Sequence, residues 1–270
     1  SANDSYGAFV YGTYTITELK TEATRSMKMY TNTFTIDTDG KVLDLGTVDN
    51  IPMSIRTTLV DVNEEHFTEV ASSITLTDHV AYKNLDTDKT YTLTGTLYIK
   101  DVEALTELMT QTVDFTPAEK NGTQDVVFTF DASDLAGKSV VAFEELSLNG
   151  EFCAEHKDKD DENQTVTFPS IQTTARDSKT EDHVANATDS VSIIDTVTYS
   201  GLKVGETYTI TETLMDADTG KAVLDDDGNE ITASKEFTAP ARDGSVDITF
   251  NFAGVSLVGK KIVAFEEVYY

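Results

Sequence analysis

The chain is a succession of short stretches in which apolar and polar side chains alternate with a period of two. "YTLTGTLYI" (Tyr91–Ile99), "DVVFTF" (Asp125–Phe130) and "SVVAFEEL" (Ser139–Leu146) show the pattern. They are rich in Thr, Val, Tyr and Phe, the residue types that suit a pleated, half-buried surface. Turn-forming clusters separate them: "DTDK" (Asp86–Lys89), "EKNGT" (Glu119–Thr123), "LAGK" (Leu135–Lys138) and "DDDGN" (Asp225–Asn229). No stretch sustains a helical period. The pattern predicts an all-β protein.

The pattern also repeats. "SIRTTLVD" (Ser54–Asp61) recurs as "SIQTTARD" (Ser170–Asp177), and "TLTDHVAYKNL" (Thr75–Leu85) as "SIIDTVTYSGL" (Ser192–Leu202). "KTYTLTGTLY" (Lys89–Tyr98) answers "ETYTITETLM" (Glu206–Met215), and "LAGKSVVAFEEL" (Leu135–Leu146) answers "LVGKKIVAFEEV" (Leu257–Val268). The offset drifts only from 116 to 122 residues, so these are two copies of one domain. Short strands in repeats of this length predict β-sandwiches, arranged as an elongated tandem array. The expected boundaries are 1–53, 54–169 and 170–270. "YGTYTITELK" and "NTFTIDTDGKVLDLGTVDN" in the first segment also read as strands, but some 50 residues is short for a sandwich with its own core. That segment reads as the back half of a domain. The second copy stops at "VAFEEVYY", whereas the first continues through "SLNGEFCAEHKDKDDENQTVTF". The chain therefore reads as a piece of something longer.

Charge narrows the function. With 20 Lys and Arg against 48 Asp and Glu, the net charge is −28. Nothing offsets phosphate repulsion, which argues against nucleic acid and against an anionic membrane surface. The single cysteine, Cys153, excludes an intrachain disulfide and reads as a small core residue. No signal peptide or apolar run of membrane length is visible. No cofactor or metal motif stands out. "DKDDEN" reads as a solvated loop, because an EF-hand needs Gly at its sixth loop position and Glu at its twelfth. "DADTGKAVLDDDGNE" reads as a hairpin.

The first copy also holds a set of residues with chemical potential: the duplicated Thr57–Thr58, Asp78, Glu144, His156 and Gln164. Thr57 opens the domain and Gln164 nearly closes it, so an antiparallel sandwich that makes its first and last strands neighbours brings the two together. "IRTT", "TDHVAY", "VAFEE" and a His followed eight residues later by "QT" together resemble the Thr-Gln ester-bond domains of Gram-positive surface adhesins, a branch of the immunoglobulin-like stalk modules. The resemblance covers Ser54–Pro169 fully and Ser170–Tyr270 in part. It implies an ester between Thr57 and Gln164, with His156, Asp78 and Glu144 assisting. It also implies a stalk function, an extracellular location with cell-wall anchoring through parts of the protein not present here, and partners that are neighbouring adhesin domains and a host ligand of a distal domain.

The implied chemistry is physically sound. A carboxamide is a weak electrophile and an alcohol a weak nucleophile, so both need help. His156 suits the general base and acid. Asp78 and Glu144, if buried together, cannot both ionise easily, and the neutral acid is a donor for the developing oxyanion. The reaction occurs once per molecule, so no turnover enzyme is implied. The bond closes a loop of about 108 residues, which on a chain-entropy argument contributes about 4–5 kcal/mol.

The second copy matches this set at Thr173, Asp195 and Glu266 but has no His or Gln to complete it. Residues 1–53 resemble the back half of a CnaB-type pilin domain, with Glu18 in the place of the catalytic Glu and Asn50, in "VDNIP", as the bond-forming Asn on a final strand. Glu145 and Glu267, next to the inward Glu144 and Glu266, are expected to face solvent. Two other functions compete with the stalk. One is a ligand-binding adhesin module contacting host protein or glycan. The other is a hydrolase built on His156 and Thr57, which is disfavoured because the domain supplies its own amide.

Overall fold

A computed structural model describes residues 9–100 and 104–270, and the first eight residues of the amino-terminal segment lie outside it. The chain divides into two compact units. The first is Ser1–His66, Thr75–Thr129 and Val140–Val166, and the second is Phe67–Ile74, Phe130–Ser139 and Thr167–Tyr270. Among the described residues the helices are single turns, and none is long and apolar enough to cross a membrane.

The first unit begins with a hairpin, β1 (Gly12–Thr17) against β2 (Thr31–Ile36). Two sheets follow. The first has the order β3 (Ser54–Val60), β4 (Ile74–Lys83), β7 (Gly122–Phe130). The second has the order β10 (Thr165–Thr167), β8 (Ser139–Leu148), β5 (Tyr91–Lys100), β6 (Leu105–Phe115), with β9 (Glu151–His156) also paired to β8.

Alternation dictates which side chains enter the core. β4 turns Leu76, Asp78, Val80 and Tyr82 inward, and β5 turns Tyr91, Leu93, Gly95 and Leu97 inward. The Tyr82 and Phe115 rings meet across the two sheets at 5.4 Å. This is a sandwich closed by side chains from two inner faces. Cys153 is buried in it.

The second unit has the sheet β11 (Ser170–Asp177), β12 (Val191–Ser200), β16 (Gly244–Phe252). Its other sheet has β13 (Thr207–Asp216) paired with β14 (Lys221–Ala222), β15 (Thr232–Thr238) and β17 (Ile262–Tyr269). Val191, Ile193 and Phe250 from the first sheet pack against Leu214 of the second. The pairing of β13 with β14 makes "DADTGKAVLDDDGNE" the start of a hairpin. Further along it the Asp225 carboxylate accepts from the backbone N–H groups of Asp227 and Asn229.

Two expectations change. The first and last strands of the first copy are not neighbours in one sheet: β3 and β10 belong to opposite sheets. Residues 41–50 form no strand. Val42 is almost fully exposed there, and only an isolated bridge from Met27 to Pro52 follows. A strand needs a ladder partner, and none lies beside this stretch among the described residues.

Candidate functional site

Five elements of the first unit converge on one buried point. β3 turns Ile55, Thr57 and Leu59 inward and leaves Arg56 exposed, so Thr57, not Thr58, enters the interior. β4 delivers Asp78 and β8 delivers Glu144, both fully buried, while Glu145 faces outward to Lys157. β9 ends at His156. The fifth element is a single 3₁₀ turn, Glu162–Gln164, which presents Gln164.

Gln164 therefore does not open a strand but closes this turn just ahead of β10. The turn forms because Asp161 caps it: its Oδ1 accepts from the Asn163 N–H at 2.9 Å, and its carbonyl accepts from the Gln164 N–H at 3.1 Å.

The Gln164 carboxamide is completely enclosed. Its Nε2 donates to the carbonyls of Ala142 at 2.8 Å and His156 at 3.2 Å, and lies 3.0 Å from Thr57 Oγ1. Its Oε1 accepts from the Asp158 backbone N–H at 3.3 Å. Carbonyls only accept and a backbone N–H only donates, so these contacts fix which end of the amide is nitrogen.

The same logic assigns the His156 tautomer. The Thr57 backbone N–H donates to Nδ1 at 3.3 Å, so Nδ1 carries a lone pair and the neutral ring has its proton on Nε2. Thr57 Oγ1 lies 3.5 Å from that Nδ1. Burial holds the His156 pKa below the ordinary histidine range, with Asp161 opposing and exposed Arg56 assisting.

Asp78 and Glu144 lie side by side next to the Thr57 hydroxyl, and none of their four carboxylate oxygens finds a donor. Burial raises both pKa values, and Glu144 is raised further because it also faces Asp78. Glu144 is thus the member that keeps its proton. Gly95 makes room for it: a Cβ there would sit 2.8 Å from the Phe128 ring and closer still to the Glu144 carboxyl.

The second unit repeats part of this arrangement. Thr173 donates to Glu266 Oε1 at 2.8 Å, and Asp195 is fully buried without a partner. A third carboxylate, Glu212, stands at the position that Gly95 holds in the first copy, also buried and unpartnered. Burial, then the charges of Asp195 and Glu266, push the Glu212 pKa up to about 8. Thr173 and Glu266 are only partly buried. Glu267 is exposed, as alternation requires.

In the amino-terminal segment the structure brings Glu18 and Asn50 together. Asn50 Nδ2 donates to Glu18 Oε1 at 2.6 Å, although Asn50 lies on irregular backbone.

Residues 53–168, and again 169–270, match the family model of the T-Q ester bond containing domain. The chain belongs to that family. The threonine and glutamine types of its name are the two that meet in the first unit. The family is named for a T-Q ester bond, a cross-link within the domain and not a turnover reaction. Two structures of a bacterial adhesin from Mobiluncus mulieris, described as containing intramolecular disulfide, isopeptide and ester bond cross-links, are similar to this chain. One is 15% identical over 80% of each chain with a TM-score of 0.40. The other is 14% identical over 81% of this chain and 99% of the adhesin, with a TM-score of 0.41. Red sea bream transglutaminase is similar at 13% identity and a TM-score of 0.32, over 79% of this chain and 29% of the enzyme. No curated protein matches the chain.

Four residues around the T-Q sites escaped the sequence reading. Asp158 and Asp161 lay in a charge run read as solvated, and nothing in their spacing distinguishes a capping aspartate from its neighbours. Gly95 and Glu212 were legible in principle, because the repeat alignment sets a glycine against a glutamate at an inward position.

Proposed function

We propose that Thr57 and Gln164 join as an intramolecular ester, and that the chain is a stalk region of a Gram-positive cell-surface adhesin. The observation that carries this reading is the 3.0 Å approach of Gln164 Nε2 to Thr57 Oγ1 in a closed pocket that also presents an unprotonated imidazole nitrogen.

Thr57 Oγ1 attacks Gln164 Cδ as its proton passes to His156 Nδ1. The carbonyl oxygen becomes an oxyanion, held by the Asp158 N–H that already bonds Oε1, and Asp78 and Glu144 steady the threonine side. His156 then returns the proton to Nε2. The Ala142 and His156 carbonyls stabilise the growing positive character on that nitrogen, the C–N bond breaks, and ammonia leaves. Packing holds the reactants at an effective concentration on the order of 10⁵ M. Loss of ammonia and burial of the product make the step hard to reverse.

The bond ties β3 to the segment that enters β10, and so staples one sheet to the other. Tension along the chain then meets a covalent tie before it can separate them. In the same reading, residues 1–53 are the carboxy-terminal part of a CnaB-like domain, with Glu18 and Asn50 as remnants of its isopeptide site. The chain works outside the cell, anchored through other parts of its protein, with neighbouring adhesin domains as its partners.

Intact mass tests the bond. The native chain is expected to be lighter than its sequence by one ammonia. Thr57→Ala abolishes that loss and Thr58→Ala retains it. An unchanged mass in folded native protein overturns the reading.

A further inference from the structure

The two copies hold the chain that leads into them with the same two loops and change only the side chains. In the first copy the Leu85 N–H donates to the Lys120 carbonyl at 2.9 Å, and the Asn84 N–H to Asn121 Oδ1 at 3.0 Å. In the second, the Leu202 N–H donates to the Arg242 carbonyl at 2.9 Å, and the Gly201 N–H to Asp243 Oδ1 at 2.9 Å. Asn84 and Gly201 both take positive φ, at 64° and 79°. Lys120 is thus the counterpart of Arg242, and Asn84 of Gly201. Asn84 and Gly201 each meet the linker ahead of their copy. Asn84 Nδ2 donates to the Pro52 carbonyl at 2.8 Å. At Gly201 the linker runs directly past the backbone: a Cβ there would stand 2.8 Å from Thr167 Cγ2 and 3.5 Å from Pro169 Cα.

At this second joint Arg242 meets two hydroxyls. Ser139, the first residue of β8, and Thr167, the last of β10, are both buried and bond to each other at 2.9 Å. The Arg242 guanidinium Nη2 donates to Ser139 Oγ at 3.1 Å and to Thr167 Oγ1 at 2.9 Å, while Arg242 is otherwise a surface residue. All three lie in the second compact unit, which takes in these ends of β8 and β10. The copies also differ in charge at matching places. Asp86 of the first copy pairs with Lys28 and, at 2.8 Å, with Lys89, whereas its counterpart Lys203 pairs with Glu206 at 3.2 Å. Just ahead of β17, Lys261 stands where the first copy has Ser139.

We propose that Arg242 is a recognition residue for the domain ahead of it: the second copy docks on an exit end that offers the paired hydroxyls of Ser139 and Thr167 and carries no cation at the Ser139 place. A guanidinium only donates, so accepting hydroxyls complement it, and a lysine ammonium, which also only donates, repels it. With Lys261 in that place, the exit end of the second copy rejects an entry end that bears Arg242 and Lys203. It fits one that bears an acid, as the first copy does with Asp86. The joints thereby impose an order on the repeats. None of these residues takes part in the ester chemistry, and the proposal stands apart from it.

Thermal melts of the whole chain test the contact as a double-mutant cycle. Arg242→Ala is expected to lower the melting temperature of the second unit by on the order of 5 °C. In a chain that already carries Ser139→Ala and Thr167→Val, adding Arg242→Ala is expected to lower it no further. No shift for Arg242→Ala in the native chain, or the same shift in both backgrounds, overturns the proposal. Charge exchange tests the recognition. An NOE between the Thr167 methyl group and the Gly201 Hα protons reports the joint itself. It is expected in the native chain, lost in Ser139→Lys, and regained when Arg242→Glu is added, because the new cation then meets a carboxylate. An NOE that survives Ser139→Lys, or that does not return with Arg242→Glu, overturns the proposal. Should Ser139→Lys fail to fold, the melting cycle decides alone.

Discussion

Glu212 stands directly opposite Glu266 across the β13–β17 ladder, and both face the acid cluster that includes Asp195. Burial raises the pKa of all three carboxylates, the charges of Asp195 and Glu266 raise Glu212 further, and the direction of the resulting pH dependence follows. Glu212 has a folded pKa of about 8 against an ordinary glutamate value of 4.5 in the unfolded chain. The folded state therefore binds more protons, and the stability this group supports is full below about pH 4.5 and lost as pH rises toward 8. Glu212→Gln removes the titration but keeps the shape. It is expected to raise the melting temperature of the second unit at pH 8 by on the order of 5 °C, with a much smaller gain at pH 5. Thermal melts of the whole chain at both pH values check this; an equal gain at both would show that Glu212 is not the titrating group.

Gly95 marks the opposite solution in the first copy. A methyl group there must displace either the Glu144 carboxyl or the Phe128 ring, both held in a close-packed interior. Gly95→Ala is expected to cost about 1–3 kcal/mol and to slow ester formation by moving Glu144. The stability part is read by denaturant titration of Gly95→Ala in the Thr57→Ala background against Thr57→Ala alone, which keeps the crosslink out of the comparison.

These two positions show how far the sequence reaches. Alternation sorted Glu145 and Glu267 from their inward neighbours, because adjacent strand residues take opposite faces, whereas the choice of Thr57 over Thr58 rested on the family resemblance. Alternation also exposed the fold class and the repeat. Sheet membership was not legible: alternation says which face a residue takes, not which ladder its strand joins, and β3 and β10 turned out to lie in different sheets. The strand expected to end at Asn50 failed for a related reason, since "KVLDLGTVDN" has no ladder partner among the described residues. The capping role of Asp161 depends on a turn three residues long, below the length at which periodicity carries information.

The pH dependence of the crosslink itself follows from His156. Its pKa lies below the ordinary histidine value, and the neutral ring is the active form. Ester formation is therefore expected to rise with pH through a midpoint below about 6.5 and then level off. His156→Ala should fold and remain uncrosslinked over the period in which the native chain reacts, a difference on the order of 10²-fold or more. Mass spectrometry of both chains at matched times decides this; crosslinking of His156→Ala at the native rate would require another base.

The second unit offers a test of the site by completion. In the first unit the outer edge of β8 is covered by β9 and β10, and Val140, Val141 and Ala142 are fully buried. β17 is its counterpart and, among the described residues, pairs only with β13, so Ile262, Val263 and Ala264 are partly uncovered and Phe265 is 58% exposed. Between β17 and β11 lies an open groove of about 880 Å³, lined by Thr173, Ala175, Val191, Ile193, Ile262 and Ala264 among others. An unpaired edge beside an apolar groove accepts an extended peptide as an added strand. The segment Asn149–Ser170, supplied as a peptide, carries the histidine, the capping aspartate and the glutamine that this site lacks. It is expected to bind there and, by bringing its glutamine to Thr173, to form an intermolecular ester. A denaturing gel of chain plus peptide should show a heavier band that Thr173→Ala removes and that a peptide with Gln164→Ala does not produce. Glu212 crowds the acid pocket, so Glu212→Gly, which restores the glycine of the first copy, should increase the yield of that band. Absence of the band in both the native and the Glu212→Gly chains would mean that Thr173 is not competent for the bond even when its missing partners are supplied.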